Sequence, residues 1–451
     1  MKIVLVGAGS AQFGHGTLGD IFCSSVLTGS EITLLDINAQ ALDAVLKTAK
    51  AFVEQHGLKF SLTATTDRRA AFIGANYIIS SIEVGNRFQL WDEDWKIPQQ
   101  YGIHQVYGEN GGPGGVFHAL RIVPVILEIV KDAMELCPDA WIFNYSNPMT
   151  AIVTTVKRAY PQAKFVGMCH EIGWLDRWLP PMLGMKKEDL QFTAAGLNHF
   201  SCLLELKDKN TGKDLYPDVL KKAHDFFLRE PGYSDVYDTY LKTGELQGSE
   251  KFDKERVGIK SRFEWADRRL VKFMLENYRL LPITTDSHFG EYLSWAWDVV
   301  DHRGIIDFYD WYKASLTTKV KHEIKLEVAE RVIPIIDGIL GDEGFIESAV
   351  NILNDGLVKD LPSWIALEVP ALVNAKGISG VKIDNMPKGY LALLRNYCGV
   401  YDLTAEAVIH RKRDYVIQAL LANPVVHQAR NLAEMVDRMI DQQATWLGYL
   451  R

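Results

Sequence analysis

The sequence predicts an α/β protein, with an N-terminal Rossmann-type, doubly wound parallel sheet followed by a C-terminal α/β, helix-rich domain. Over the first two hundred residues, short apolar runs alternate with amphipathic helical segments. This is typical of strand–helix–strand units with right-handed crossovers. The first run, Ile3–Val6, passes directly into a glycine turn, and after about Gly196 helical segments dominate. We therefore expect one domain at residues 1–196 and a second at 197–451.

The expected elements of the first domain follow from apolar spacing and capping residues. Asn38 is expected to cap an amphipathic helix, and Asp67 opens a short one. A helical stripe over residues 116–134 contains Pro124, which we expect to kink that helix or to start a new one. The runs expected to be buried parallel strands are Ile3–Val6, Ile32–Ile37, Phe60–Ala64, Tyr77–Ile82, Trp141–Tyr145 and Phe165–Met168.

Composition narrows the class of protein. The 451 residues are 47% hydrophobic, which is enough for one large core or two moderate ones. A formal net charge of -8 gives no reason to expect a nucleic-acid partner. The five cysteines are scattered and odd in number, which predicts a reducing compartment and no disulfide framework. The N-terminus reads as a strand rather than a signal peptide. We expect a cytoplasmic protein with no membrane partner.

The segment Gly7-Ala8-Gly9-Ser10 predicts a dinucleotide site, with NAD as the expected cofactor. It follows a strand directly, where a tight turn and a close approach to a pyrophosphate both favour residues without a β-carbon. Asp36 ends the next strand, where a carboxylate binds ribose hydroxyls. The third small residue of the full pattern is replaced by Gln12. We interpret Gly7, Gly9, Ser10 and Asp36 as cofactor-binding, against the alternative of an ordinary strand–turn–helix corner.

Two polar segments follow later strands of the expected sheet, at the edge where ligands bind. Asn147-Pro148 offers either an amide partner for hydroxyls or a simple turn. Cys169-His170-Glu171 offers a metal ligand, a proton carrier and a substrate contact, or else a buried cysteine beside a surface pair. The glycine-rich stretch over residues 85–115 is also expected to be functional, because long irregular stretches inside compact domains usually are.

Two further histidine-bearing segments are ambiguous on their own. His199 lies among apolar neighbours and becomes a candidate ligand only if it meets Cys169 in space. The run from Asp286 to Tyr292 holds several acid–base groups, among them His288. Its simpler interpretation is a polar helix start with Asp286 as the N-cap.

Taken together these segments resemble glycoside hydrolase family 4, the NAD- and divalent-metal-dependent glycosidases. The resemblance covers nearly the whole chain in the right order. Its motifs are Gly7-Ala8-Gly9-Ser10, Ile97-Pro98, Tyr101-Gly102, Gly112-Pro113-Gly114-Gly115, Asn147-Pro148, Cys169-His170-Glu171-Ile172, Gly196-Leu197-Asn198-His199, Glu368-Val369-Pro370, Met386-Pro387 and Asn423-Pro424.

The resemblance implies a lactate/malate-dehydrogenase-like Rossmann domain, then a substrate and oligomerisation domain, in a homodimer or homotetramer. It implies that NAD removes a hydride from C3 of a small carbohydrate and later returns it. A base takes the C2 proton, a divalent metal on the sugar O2 and O3 acts as a Lewis acid, and the C1–O bond breaks by elimination before water adds. The usual two-carboxylate scheme does not apply to this family.

The resemblance also implies roles for individual residues. Cys169 and His199 correspond to the metal ligands, a mixed set that suits Mn, Fe, Co or Ni, with Mn expected first. Asn147 corresponds to a sugar contact near the metal. His170 lies where relatives place the group that assists the leaving group.

The base that takes the C2 proton is expected from the 286–292 segment. We favour Asp286, with His288 and Tyr292 as alternatives.

The residues after the cysteine predict the substrate class. Trp91 stands where members acting on 6-phosphosugars carry an arginine, which disfavours a phosphosugar. Cys-His-Glu looks most like the α-galacturonidase branch, with α-galactosidase, α-glucuronidase and α-glucosidase branches nearby. Glu171 would repel a uronate unless a cation intervenes, so it is also a candidate contact for a hydroxyl such as O4. The expected substrate is an α-galacturonide or another non-phosphorylated α-glycoside.

Two other functions fit the same fold. An NAD-dependent hydroxy-acid dehydrogenase of the lactate/malate type would use a histidine acid with an aspartate partner and a carboxylate-binding arginine, and would not need Cys169. It would accumulate NADH, whereas the glycosidase returns its hydride. A non-catalytic NAD-sensing protein would need no metal at all.

Overall fold

A computed structural model of the chain describes residues 1–246, 260–317, 323–342 and 344–451. Within these ranges the strands form one 12-stranded sheet. Its first half has the order β3-β2-β1-β4-β5-β6 with every pair parallel, which confirms the predicted Rossmann-type fold class. The strands are β1 Lys2–Val6, β2 Glu31–Leu35, β3 Ser61–Thr65, β4 Tyr77–Ser80, β5 Trp141–Asn144, β6 Lys164–Gly167, β7 Leu190–Leu197, β8 Phe200–Asp208, β9 Leu281–Pro282, β10 Phe345–Leu353, β11 Ala366–Asn374 and β12 Gly377–Gly380.

The second half of the sheet continues from β6 in the order β10-β11-β7-β8-β9, with antiparallel pairs, and β12 pairs with β11. Two strands from late in the chain therefore lie between β6 and β7. The predicted boundary between residues 196 and 197 falls within β7. The two-domain division stays a prediction, because both parts of the chain build the same sheet.

Helices cover both faces of the sheet. The side chain of Asn38 caps α2 by accepting the Ala41 N–H at 3.1 Å, and Asp67 accepts two N–H groups at the start of α3, as predicted. The helices are α1 Ala11–Cys23, α2 Ala39–Gln55, α3 Arg68–Phe72, α4 Arg87–Gln100, α5 Gly112–Leu136, α6 Met149–Ala159, α7 Gly173–Leu183, α8 Tyr216–Leu228, α9 Tyr233–Thr243, α10 Arg269–Asn277, α11 Asp286–Gly290, α12 His302–Thr317, α13 Val332–Gly341, α14 Lys388–His410, α15 Arg413–Ala422, α16 Leu432–Gln442 and α17 Ala444–Leu447.

Helix α5 continues through Pro124, so of the two expected alternatives, a kink or a new helix start, the new start is wrong. Proline lacks the N–H that would bond the carbonyl four residues earlier, here that of Leu120. The Tyr449 hydroxyl donates to this carbonyl at 2.8 Å and satisfies it. Among the described residues, α5 is the helix whose length and apolarity would suit a bilayer, but 78% of its most apolar window is buried inside the protein.

The apolar core has two large parts, one on each face of the parallel strands. One lies beneath α5, α6 and α14, and the other beneath α1, α2 and α13. A smaller cluster lies between α7, α8 and strands β7–β9. The packing fixes the carboxyl ends of β1, β5 and β6 along one edge, where an open α/β sheet places its ligand crevice.

Candidate active site

The glycine turn after β1 packs too closely against its neighbours to admit a side chain. Gly7 has φ +90°, and a β-carbon there would lie 2.0 Å from the Ser81 carbonyl oxygen. The Gly9 N–H donates to Asp36 Oδ2 at 2.8 Å, and a β-carbon on Gly9 would lie 2.7 Å from that carboxylate. Ser10 caps α1 through its side chain. The structure therefore brings the four predicted cofactor residues together at a helix N-terminus that fits a dinucleotide pyrophosphate.

Cys169 and His199 converge. Cys169 follows β6, His199 lies in the tight turn between β7 and β8, and Cys169 Sγ is 3.3 Å from His199 Nε2. This is the spatial condition on which the sequence interpretation depended. A thiol and an imidazole nitrogen at this separation point their donor atoms at a shared space, which is the arrangement a metal ion requires.

The turn that carries His199 is held in place by a cross-strand row and its hydrogen bonds. Neighbouring strands align Gly167, Asn351, Glu368 and Gly196 in one row from β6 to β7. The buried Glu368 carboxylate accepts from the Asn198 side-chain amide at 2.6 Å and from the Ser201 hydroxyl at 2.9 Å. His199 adopts φ 61°, so the turn projects its ring out of the sheet.

Asn110 fixes the orientation of the His199 ring. Its side-chain amide lies 2.8 Å from His199 Nδ1, which leaves Nε2 directed at Cys169. Asn110 Oδ1 is buried with no hydrogen-bond partner. Rotating this amide by half a turn would give Oδ1 the Nδ1–H as donor and would leave a free lone pair on Nε2. Metal-binding histidines are commonly held by such a bond to the other ring nitrogen.

Sequence analysis missed the residues that shape the 109–111 loop. The buried Glu291 carboxylate accepts the consecutive backbone N–H groups of Glu109, Asn110 and Gly111. Glu109 in turn lies 3.7 Å from His288 Nδ1 through its Oε2 atom. The glycine-rich composition marked this stretch as functional, but nothing in the sequence paired it with Glu291, 180 residues away.

His288 belongs to the site. Its ring centroid lies 4.6 Å from that of His199. Donor atoms of Glu109, His199 and His288 all lie within 4.8 Å of one another, and all three residues are buried.

Asp286 is bonded to the backbone, and its role as the base stays a prediction. Its two carboxylate oxygens accept the backbone N–H groups of Leu270 and Asp301, at 2.9 and 2.8 Å, and the residue is fully buried. Burial raises its pKa to about 7. These bonds hold the start of α11 in place, and they favour a structural role for Asp286 over that of the base. The cap position of α11 belongs to Thr285 rather than to Asp286.

Replacing Asp286 by asparagine should therefore lower stability rather than define the chemistry. The new NH2 group would face a backbone N–H, and leaving that donor unsatisfied costs about 1–3 kcal/mol of the free energy of unfolding. Chemical denaturation measures the difference, with the exposed Asp298→Asn as a matched control. A variant with unchanged stability and complete loss of turnover would restore Asp286 as a catalytic candidate.

The remaining predicted residues lie around this cluster. The Asn147 side-chain amide donates to Glu109 Oε1 at 3.4 Å. Glu171 is buried, and its Oε2 atom has no hydrogen-bond partner. His170 is exposed, and its charge acts on the nearby Glu330. The Tyr292 hydroxyl donates to the Asn198 carbonyl at 2.9 Å, so this alternative base is already engaged.

The electrostatics of the cluster favour a bound cation. Burial raises the pKa of the Cys169 thiol, and the charges of Glu368 and Glu171 add to the effect. Burial also lowers the pKa of His199. Although burial acts to lower the pKa of His288, Glu291 at 3.9 Å and the charges of Glu109 and Glu171 raise it to about 9. A metal ion would supply the positive charge that turns the thiol into a thiolate.

A glycine turn suited to a dinucleotide follows one parallel strand, and the cysteine of a thiol–imidazole–carboxylate cluster follows another at the same edge of the sheet, which is the arrangement of a Rossmann-type enzyme with a metal-binding site. The chain belongs to the family 4 glycosyl hydrolases: the family profile matches residues 2–185, and the profile of the C-terminal domain of this family matches residues 194–426. The predicted family and the prediction of a glycoside hydrolase are confirmed. Neither the hydroxy-acid dehydrogenase nor the NAD sensor agrees with this family.

Three proteins of known description are similar to this chain. The alpha-glucosidase of Erwinia rhapontici is 56% identical over 452 residues, covering 100% of this chain and 99% of the relative. An alpha-galacturonidase of Thermoanaerobacterium saccharolyticum is 25% identical, covering 94% and 92%. The crystal structure of a 6-phospho-alpha-glucosidase from gut microorganisms, in complex with NAD and Mn2+, is 20% identical with a TM-score of 0.74, covering 99% and 98%. This last likeness supports the fold.

Proposed function

We propose that this enzyme hydrolyses a non-phosphorylated α-glucoside with NAD and a divalent metal, Mn2+ being the expected ion. The observation that carries the proposal is the 56% identity to an alpha-glucosidase over the full length of both chains. The α-galacturonide expected from Cys169-His170-Glu171 takes second place, because the galacturonidase relative shares only 25% identity.

The charges around the site favour a neutral sugar over a uronate. Glu109, Glu171 and Glu291 all act on the pKa of His288, so three carboxylates surround the place where the sugar would bind. A uronate would add a fourth negative charge at short range. The unpartnered Glu171 Oε2 atom is instead ready to accept a sugar hydroxyl. Burying a hydroxyl against a free carboxylate satisfies both groups.

A phosphosugar is disfavoured for a related reason. Trp91, at the place of the phosphate-binding arginine, is only 3% exposed. The nearby Arg87 stacks over its ring at 4.3 Å and lies 3.5 Å from both Glu83 and Glu109. Two carboxylates already balance its charge, so Arg87 offers no free cation for a phosphate.

Each predicted site residue has a separate role. Gly7, Gly9, Ser10 and Asp36 hold the dinucleotide, and Cys169 and His199 hold the ion. When bound, NAD takes a hydride from sugar C3 and returns it, while the ion polarises the sugar O2 and O3. Three residues are assigned as polar contacts to the sugar and its leaving group. They are Asn147, Glu171 and the exposed His170.

The C2 proton requires a base. Of the three residues expected for this role, Asp286 and Tyr292 are bonded to backbone groups, and the ring of His288 lies beside the ion ligands. The proposed function does not depend on which group takes the proton.

The test is a panel of p-nitrophenyl glycosides assayed with NAD, Mn2+ and a thiol reductant. We expect turnover of the α-glucoside, with little or none of the α-galacturonide, the β-glucoside or the 6-phosphoglucoside. The reductant is needed because an accessible metal-binding thiolate oxidises readily. In D2O, the product should carry deuterium at C2. Hydrolysis that proceeds without NAD, or a product without deuterium at C2, would contradict the mechanism, whereas net NADH accumulation would favour the dehydrogenase.

Gly9→Ala should weaken NAD binding. The added methyl would lie 2.7 Å from the Asp36 carboxylate, which must then move from the Gly9 N–H and from the ribose. We expect the NAD dissociation constant to rise at least about tenfold, equivalent to roughly 1.4 kcal/mol. Isothermal titration calorimetry measures it, and Gly16→Ala, where a β-carbon meets nothing within 4 Å, is the control. Equal affinity of the Gly9 variant and the wild type would argue against this dinucleotide site.

We also propose a cytoplasmic homodimer or homotetramer. Light scattering coupled to size-exclusion chromatography measures the subunit number, and a monomer at working concentration would contradict it. Cell fractionation tests the location.

A further inference from the structure

Glu109 and His288 lie where additional ligands to the ion would lie. The family resemblance supplies two ligands, Cys169 and His199. In this chain a donor atom of Glu109 and one of His288 lie within 4.8 Å of each other and of a donor atom of His199. Glu109, His199 and His288 are 4%, 4% and 7% exposed. Burying three polar donors around one space is unfavourable unless they share a binding partner.

The present partners of the two residues leave one donor atom on each without a close bond. Glu109 Oε1 faces the Asn147 amide at 3.4 Å and Arg87 at 3.5 Å, whereas Oε2 lies 3.7 Å from His288 Nδ1. His288 Nδ1 is buried, has no hydrogen-bond partner and lies 3.9 Å from Glu291. Buried polar atoms in proteins are nearly always bonded, so the unbonded His288 Nδ1, directed at a carboxylate beyond hydrogen-bonding distance, is suited to a metal ion between the two groups.

A divalent ion fits these donor atoms in chemistry and in size. Imidazole nitrogen, carboxylate oxygen and thiolate sulfur together suit Mn, Fe, Co or Ni. With bonds of about 2.0–2.3 Å, two donors on one ion lie roughly 3 Å apart when adjacent and somewhat over 4 Å apart when opposite. The donor atoms of Glu109, His199 and His288 lie within 4.8 Å of one another, and Cys169 Sγ lies 3.3 Å from His199 Nε2, so His199 joins the two halves of the set. Glu291 fixes the Glu109 backbone and Asn110 fixes the His199 ring, so the set is preorganised.

We propose that Glu109 and His288 are ligands of the catalytic ion, so that this enzyme holds its metal through four side chains before any sugar arrives. The inference rests on the proposed metal dependence and adds to it. With only Cys169 and His199 as ligands, the ion would depend on the sugar oxygens for a stable site. With Glu109 and His288 added, the ion is a resident of the sugar-free enzyme.

The experiment measures Mn2+ binding to the NAD-loaded enzyme without sugar, by the electron paramagnetic resonance signal of free Mn2+. Wild type is compared with Glu109→Gln, His288→Gln and Cys169→Ser. The control is His104→Gln, which removes an exposed imidazole stacked on Trp297. We expect the Mn2+ dissociation constant to rise at least tenfold in the first three variants and to stay at the wild-type value in the control. Glutamine at 109 retains an oxygen for Asn147, so the loop is preserved.

The outcomes separate this inference from the proposed function. If Cys169→Ser loses Mn2+ while Glu109→Gln and His288→Gln bind it as wild type does, the four-ligand site is wrong and the two-ligand site stands. If the wild type binds no Mn2+ with or without sugar, the proposed metal dependence itself fails. Circular dichroism of the metal-free variants checks the fold, and either Glu109→Gln or His288→Gln alone suffices for the decision if the other does not fold.

Discussion

Replacing Cys169 by serine should abolish hydrolysis while the enzyme still binds NAD. Serine keeps the size of the side chain, but its hydroxyl does not ionise near neutral pH and cannot act as the soft anionic ligand beside His199 Nε2. Loss of a partner that only supports a ligand costs roughly 10–100-fold in metal affinity or activity. We expect the loss of a ligand itself to exceed that range in kcat/KM.

The exposed Cys23 supplies the control, because Cys23→Ser removes a thiol far from any predicted role. NAD binding by both variants can be followed by fluorescence titration and should match wild type. Excess Mn2+ should restore only part of the activity of Cys169→Ser. Turnover close to wild type at ordinary Mn2+ concentrations would mean that sulfur is not a ligand.

Glu291→Gln should lower kcat/KM almost as much as Cys169→Ser does, although Glu291 is assigned no contact with substrate. Its carboxylate accepts three consecutive N–H groups of the 109–111 loop, and glutamine would turn an NH2 group toward at least one of them. The loop would then shift and carry Glu109 and Asn110 away from His199 and His288. Because a displacement of about 1 Å can cost roughly 100-fold in rate, we expect kcat/KM to fall by about that factor.

A positioning role has a signature that simple destabilisation lacks. Glu291→Gln should weaken Mn2+ binding together with turnover, and both should recover partly at high Mn2+. The control is Glu276→Gln on the exposed side of α10, which should change neither quantity. A Glu291 variant that melts at a lower temperature but retains wild-type kinetics and Mn2+ affinity would show that Glu291 contributes to stability and does not position the site.

The parallel half of the fold follows from local sequence. Each expected strand of the first domain overlaps the observed one to within two residues at either end, because a strand buried on both faces is a continuous apolar run. The helix caps at Asn38 and Asp67 were also predictable, because each side chain bonds N–H groups only two or three positions away. The continuation of α5 through Pro124 could not be predicted locally. It depends on the Tyr449 hydroxyl, which satisfies the Leu120 carbonyl from more than three hundred positions away.

The candidate site was predictable where its residues stand at strand ends and not where they depend on distant partners. Cys169 and His199 stand beside recognisable glycines and strand signals. Glu291 and Glu368 were not identified as site residues, because a buried carboxylate acquires its role only from the N–H groups that fold around it. Asp286 was assigned to the chemistry for the opposite reason: an acidic residue next to histidines suggests catalysis, but here two backbone amides occupy it.

The order of the sheet has a consequence for synthesis on the ribosome. Cys169 and His199 are only 30 positions apart in the chain, but β10 and β11, residues 345–374, lie between the strands that carry them. A nascent chain that has emerged only as far as α13 contains both ligands and lacks the two strands that set their spacing. If Cys169 and His199 are ligands as proposed, we expect the ion to be loaded after most of the polypeptide has been made, and a protein truncated before residue 345 to be unable to retain it.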